Sequence, residues 1–187
     1  MKKNRILWLT QLALLTALVL LLQMLPLTIG QLQLAAFALI PIVVGGALLG
    51  AGAGAWLGLV FGLVVLFGPD TLAYFMPFSP LGTVVTILAR GVLAGAAGGL
   101  VYKALQRKTR FGAMICAAIA VPVVNTGIFV LGSRVFFWPL LTQWADGDTV
   151  AFLFLTMIGV NFFIELAATV VLSTALLPVM TRLKRAR

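Results

Sequence analysis

The chain has 187 residues, of which 63% are hydrophobic and only 9% charged, with 13 lysines and arginines, 4 acidic residues and a net charge of +9. A soluble domain carries about 25% charged residues, so the composition excludes an ordinary soluble globule and leaves a small integral membrane protein of one domain. With no histidine and a single cysteine, Cys116, a histidine-ligated metal site, a serine–histidine triad and an internal disulfide are excluded as well.

A membrane-spanning helix needs about 20 mostly apolar residues. The first predicted span runs from Ile6 to Leu25 and is closed by Pro26. It starts directly after the charged N-terminus and lacks a small-residue cleavage site near its end, so it reads as a retained helix rather than a signal peptide. The next apolar block, Leu34 to Phe67, is uncharged. As one straight helix it would be about 50 Å long at about 1.5 Å per residue, against a hydrocarbon core of about 30 Å. Two short helices, 34–49 and 52–67, are therefore expected, with the turn in Gly50-Ala51-Gly52-Ala53-Gly54, where glycine tolerates a tight bend. A loop opens at Gly68-Pro69-Asp70 and closes near Pro77-Phe78-Ser79-Pro80, all strong turn formers. A fourth span is predicted over 81–102, a basic loop from Lys103 to Arg110, a fifth span over 111–132, a long loop from Ser133 to Thr149, and a sixth span over 150–179.

Basic residues concentrate in cytoplasmic segments of membrane proteins. Here they cluster at Lys2, Lys3 and Arg5, at Lys103, Arg107, Lys108 and Arg110, and at Arg182, Lys184, Arg185 and Arg187. Six spans put all three clusters on the cytoplasmic side, whereas a single span over 34–67 would turn the middle one outward. The expectation is thus an all-α membrane domain over 1–187 with six transmembrane helices and both termini in the cytoplasm. Asp70, Asp146 and Asp148 then lie outside. The net charge is a topology signal and an attraction to anionic lipid. Basic residues scattered over three membrane-flanking segments do not suggest nucleic-acid binding.

Glycines recur every fourth residue at 46–62 and again at Gly91, Gly95 and Gly99, a small-residue stripe that lets helix backbones approach closely. On the first span, Ala13 and Ala17 are four apart and read either as internal packing or as a flat docking face for another membrane subunit. Ionisable residues inside spans are functional candidates because their burial is expensive. There are two, Arg90 and Glu165. They form either a buried structural ion pair or a site in which Arg90 meets an anionic substrate group and Glu165 orients it or contacts a partner. Asn125 and Asn161 fall in the outer halves of spans five and six, and Asn161 shares a helix face with Glu165. They either hydrogen-bond between helices or line one polar cavity open to the outside. Gln31, Gln33, Tyr74, Phe75, Phe78, Trp138 and Trp144 decorate the outer loops, as interfacial anchors or as a lid over a small ligand.

No phosphate-binding glycine–lysine loop, no HExxH and no paired intramembrane carboxylates are present, so no enzyme activity and no cofactor are expected. No internal repeat with broken helices marks a self-powered transporter. Energy for any transport would come from a partner.

Taken together, these residues resemble the substrate-binding S components of energy-coupling factor (ECF) vitamin transporters, over essentially the whole chain. Ala13-x-x-x-Ala17 is similar to the motif by which S components dock on the transmembrane T subunit. Leu88-Ala89-Arg90-Gly91 with Gly98 to Lys103 is similar to the family's fourth-helix pattern, although some relatives have proline where this chain has Ala89. Asn125-Thr126-Gly127 through Leu131-Gly132 and Asn161-x-x-x-Glu165 resemble the fifth and sixth. The resemblance implies capture of a water-soluble vitamin from outside the bacterial cytoplasmic membrane, beneath the outer loops. A T subunit and two cytoplasmic ATPases would then power its release, with ATP used by those partners and not by this chain. It implies substrate contacts at Gln33, Tyr74, Asn125 and Asn161, with Arg90 either a contact or the partner of Glu165. Pantothenate, a carboxylate suited to Arg90, is favoured over riboflavin. The alternative is a non-transporting bacterial membrane scaffold of the rod-shape type, which needs no outer cavity.

Overall fold

The computed structural model describes residues 2–24, 28–29, 32–33, 37–145 and 147–178, with the side chains of 2–4, 28–29, 32–33 and 160 outside that description. Within it the chain is helical apart from a small antiparallel hairpin. Helix α1 (Lys2–Met24) leads into strands β1 (Thr28–Ile29) and β2 (Leu32–Gln33), paired Thr28 to Gln33 and Ile29 to Leu32. Helices α2 (Leu39–Leu49) and α3 (Ala51–Leu66) follow. A π-helical turn over Thr71–Phe75 runs into the short α4 (Met76–Phe78). The long helices α5 (Pro80–Leu105) and α6 (Arg110–Phe136) come next, then α7 (Trp138–Trp144), α8 (Thr149–Ala151), a π-helical stretch over Phe152–Ile158, and α9 (Gly159–Ala175).

Among the described residues, three helical stretches are long and apolar enough to cross a bilayer: Arg5–Met24, Pro80–Leu105 and Arg110–Phe136. Two bent pairs raise the count to five, with bends of 67° between Ala51–Leu66 and Thr71–Phe78 and of 41° between Thr149–Ile158 and Asn161–Ala175. Helix α2, at 11 residues, is about 16 Å long and falls short of the hydrocarbon thickness. It is apolar on every side because it is buried on every side, from Leu39 to Leu48.

The chain breaks between α2 and α3 at Gly50, whose φ of 104° lies in the left-handed region that a side chain would oppose. Beyond the break, α3 packs on α5 with the two backbones touching. A Cβ added at Gly58 would fall on the Gly91 carbonyl, and one added at Gly54 on the Gly95 carbonyl. The glycine stripe therefore serves internal packing, as in other helix pairs that meet within lipid. Leu57 and Phe61 of α3 join Ala94 of α5 and Met114, Ala117 and Val121 of α6 in the main core.

Three predicted segments need correction, the first being the loop over 68–80, which is helical from Thr71 to Phe78. The loop over 133–149 is largely helical: α6 continues to Phe136, and α7 packs Leu140 and Leu141 inward. The span expected over 150–179 is not one straight helix. Asp148 caps its start, accepting from the Val150 and Ala151 amides at 2.9 and 3.1 Å. The backbone then winds as a π-helix and bends at Gly159, the first residue of α9. Hydropathy registers the apolar run but not its winding, because it counts apolar residues without regard to which backbone groups bond to each other.

Candidate functional site

A cavity of about 1130 Å³ opens between α1, α3, α5, α6 and α9. This is at the upper end of ligand-sized pockets, which run to about 1,000 Å³. Its wall carries Arg90, Asn125, Asn161 and Glu165, so four polar residues scattered over 76 positions of sequence meet around one space.

Arg90 reaches the wall from the middle of α5. Its guanidinium carbon lies 5.4 Å from the centre of the Phe129 ring and 6.0 Å from that of Phe61, within reach of the ring quadrupoles. Its Nε is buried with no hydrogen-bond partner. Glu165 shares the cavity wall, yet no direct ion pair joins it to Arg90 among the described residues. Asn125 is 6% exposed, and its Oδ1 also lacks a partner. It stands on α6 one turn beyond Pro122, where proline removes the amide that would bond the Ala118 carbonyl. Asn161 and Glu165 lie one turn apart on α9, just past the bend, and both face the cavity.

Aromatic residues from the π-helical turn after α3 and from the segment around α7 meet at the edge of the cavity. Phe75 packs edge-on against Phe137 (5.1 Å) and Trp144 (5.9 Å). Thr83 anchors this corner: its hydroxyl donates to the Phe75 and Ser79 carbonyls at 2.9 and 2.8 Å. Phe75, Thr83 and Phe137 are on the cavity wall. Tyr74 is not; it is 55% exposed and packs edge-on against Trp144 at 5.7 Å. Trp138 is also off the wall and lies under the Arg134 guanidinium at 4.5 Å. The side chain of Gln33 lies outside the described residues. Ala13 and Ala17 are exposed on the outer side of α1, in a strip that includes Leu9, Leu14 and Leu21.

Sequence reasoning passes over several wall residues, among them Gln23 of α1, Trp56 of α3, Asp70, and Thr86 of α5. Two of these leave a signal. Gln23 is a polar residue near the end of an apolar span, and Thr86 precedes Arg90 by one helical turn. The site offers one guanidinium, two carboxyl groups, amides and hydroxyls against apolar walls. Among the described residues no three histidine, cysteine or acidic side chains gather to hold a metal. The arrangement is suited to holding a small polar molecule.

Comparison with known proteins places the chain in a family. The family described as "ECF transporter, substrate-specific component" matches residues 8–177. A relative from Lactococcus lactis subsp. cremoris (strain MG1363), named pantothenic acid transporter PanT, is 30% identical over 157 residues, covering 76% of each chain. No solved structure matches the chain.

Proposed function

Because the chain belongs to the substrate-specific component family of ECF transporters, we propose that it is the membrane subunit that captures pantothenate from outside the cell. One observation carries this reading: an aromatic-walled cavity in which the Arg90 Nε–H has no protein acceptor. A carboxylate supplies the acceptor that site lacks, in a charge-assisted bond. The relative named for pantothenic acid transport supports the choice of carboxylate. Asn125 and Asn161 would meet the hydroxyls and amide of pantothenate, and Phe61 and Phe129 its apolar carbons. Tyr74 and Trp144 would act from the aromatic roof through Phe75, and Gln33 from the hairpin.

This reading includes six crossings of a bacterial cytoplasmic membrane with both termini in the cytoplasm. Helix α2 is short, but protein surrounds it, so its ends need not meet lipid. Ala13 and Ala17 would receive the T subunit, and two ATPases bound to that subunit would hydrolyse ATP. The chain itself would catalyse no reaction and hold no cofactor.

The test is a titration of the purified protein with a panel of water-soluble vitamins, followed by tryptophan fluorescence. Trp56 is on the cavity wall and Trp144 in its roof, so occupancy should change the emission. We expect a saturable response to pantothenate. A response confined to riboflavin would assign the aromatic walls to a flat ring instead. Silence from folded protein toward the whole panel would remove the capture reading.

A further inference from the structure

Six buried side-chain polar atoms among the described residues have no hydrogen-bond partner: Gln23 Oε1, Thr86 Oγ1, Arg90 Nε, Asn125 Oδ1, Ser133 Oγ and Ser173 Oγ. The first four belong to residues on the wall of the one cavity, and the two serines do not. Buried polar groups are nearly always paired, so four unpaired atoms around one space mark where a ligand's polar groups belong. Gln23 and Thr86 are in this set without a hydrogen-bonding role for these oxygens, although the Thr86 side chain also packs against Gly132 of α6. Among the described residues, neither oxygen makes a hydrogen bond that would hold the bundle together.

The chemistry of the four atoms describes the ligand. The Arg90 Nε–H donates and requires an acceptor. The Gln23 and Asn125 amide oxygens accept and require donors, and the Thr86 hydroxyl serves as either. Thr86 and Arg90 are one turn apart on α5, and Asn125 is on α6. Gln23 arrives on α1, which packs on α2 and α3 and so reaches the cavity from a side that α5 and α6 do not supply. A ligand satisfying all four carries an anionic acceptor at one end and at least two O–H or N–H donors along its body.

We propose that Gln23 and Thr86 are specificity-determining contacts, which with Arg90 and Asn125 form a four-point site for a small carboxylate bearing several hydroxyl or amide donors. The proposal rests on the capture function above and extends it to two residues and a donor pattern. It also sets a ranking. Such a carboxylate should bind far better than a cationic vitamin such as thiamine, which offers Arg90 no acceptor.

The experiment uses the full chain in detergent, with calorimetric titration of pantothenate, its alcohol analogue pantothenol, biotin, riboflavin and thiamine. The variants are Gln23→Leu and Thr86→Val, each close in shape to the original. Each should weaken pantothenate binding about tenfold or more. The melting temperature of the unliganded protein should hold or rise, because an unpaired buried polar group is being replaced by an apolar one. The Gln23→Leu loss should persist with pantothenol, since Gln23 reads a donor and not the carboxylate. Unchanged affinity in both variants, or a fall in melting temperature that parallels the loss of binding, would overturn the proposal while leaving pantothenate capture in place. If the wild type ignores pantothenate but takes another vitamin, the pantothenate reading fails. The proposal then stands only if that ligand carries an acidic group and Gln23→Leu weakens its binding. If the wild type binds none of them, both fail.

Discussion

The Arg90 guanidinium sits between two aromatic rings, 5.4 Å from Phe129 and 6.0 Å from Phe61. Cation–π contacts of this kind contribute about 0.5–2 kcal/mol each, and they satisfy none of the N–H donors. The residue therefore carries an electrostatic demand that its neighbours leave unmet. Two roles for it make opposite predictions. If Arg90 and Glu165 were a tight buried pair, removing either would cost about 3–5 kcal/mol of stability. If Arg90 awaits a carboxylate, Arg90→Met should leave the unliganded melting temperature nearly unchanged. Pantothenate affinity should then fall about a hundredfold, the equivalent of about 3 kcal/mol. The lack of a direct ion pair among the described residues favours the second outcome. Melting curves of Arg90→Met, Glu165→Gln and the double variant decide it. Additive shifts mean the two groups do not meet, and a double variant that loses less than the sum means they do.

At the scale of elements, α3 and α5 are joined where side chains are absent. The Gly58–Gly91 and Gly54–Gly95 contacts bring backbone against backbone, with no room for even a methyl group. That pairing sets the rotation of α5 and so places Arg90 and Thr86 on the cavity wall. Gly58→Leu should lower the melting temperature in detergent by the equivalent of about 1–3 kcal/mol or more, as overpacking does, and should weaken ligand binding with it. Gly127 is the control: it lies in α6 with open space around its Cα. Gly127→Ala should be neutral or stabilise by up to about 1 kcal/mol through helix propensity. Equal effects at the two glycines would mean that the α3–α5 contact does not govern the packing. The bend at Gly159 has a comparable role on the other side, since it turns Asn161 and Glu165 toward the same space.

Across the whole molecule, α1 presents two different adjacent faces. One face contributes Gln23 and Thr16 to the cavity, and the next exposes Ala13 and Ala17. The small residues leave a shallow strip on which another helix can lie closely. Replacing both alanines with tryptophan should abolish vitamin uptake by cells that contain the energising subunits, while the affinity of the purified chain stays within about twofold of wild type, a difference of about 0.4 kcal/mol. Parallel loss of uptake and affinity would place the strip in the ligand site rather than at an interface with a T subunit.

Local chemistry makes much of this chain legible from its sequence alone. Apolar runs mark its helices, glycines mark the break at residue 50, and the cost of burying charge singles out Arg90 and Glu165. Each of these effects acts within a few residues, so each can be read along a line of sequence. The resemblance to S components rests on such short patterns, and the family match over residues 8–177 agrees with it. Which polar residues share a cavity is not a local property. It depends on how far α5, α6 and α9 are rotated about their axes, and that is set by backbone contacts such as Gly58 to Gly91 and by the bend before Asn161. Tyr74 and Phe75 make the point: as neighbours in sequence both are candidates for the lid, yet only Phe75 lies on the cavity wall, held by the Thr83 hydroxyl. Gln23 and Thr86 look ordinary in sequence because a lone amide or hydroxyl in a helix can bond nearby backbone or face a neighbour. Only the packing of the helices decides that their oxygens are buried and unpaired, on residues that line the same cavity as Arg90.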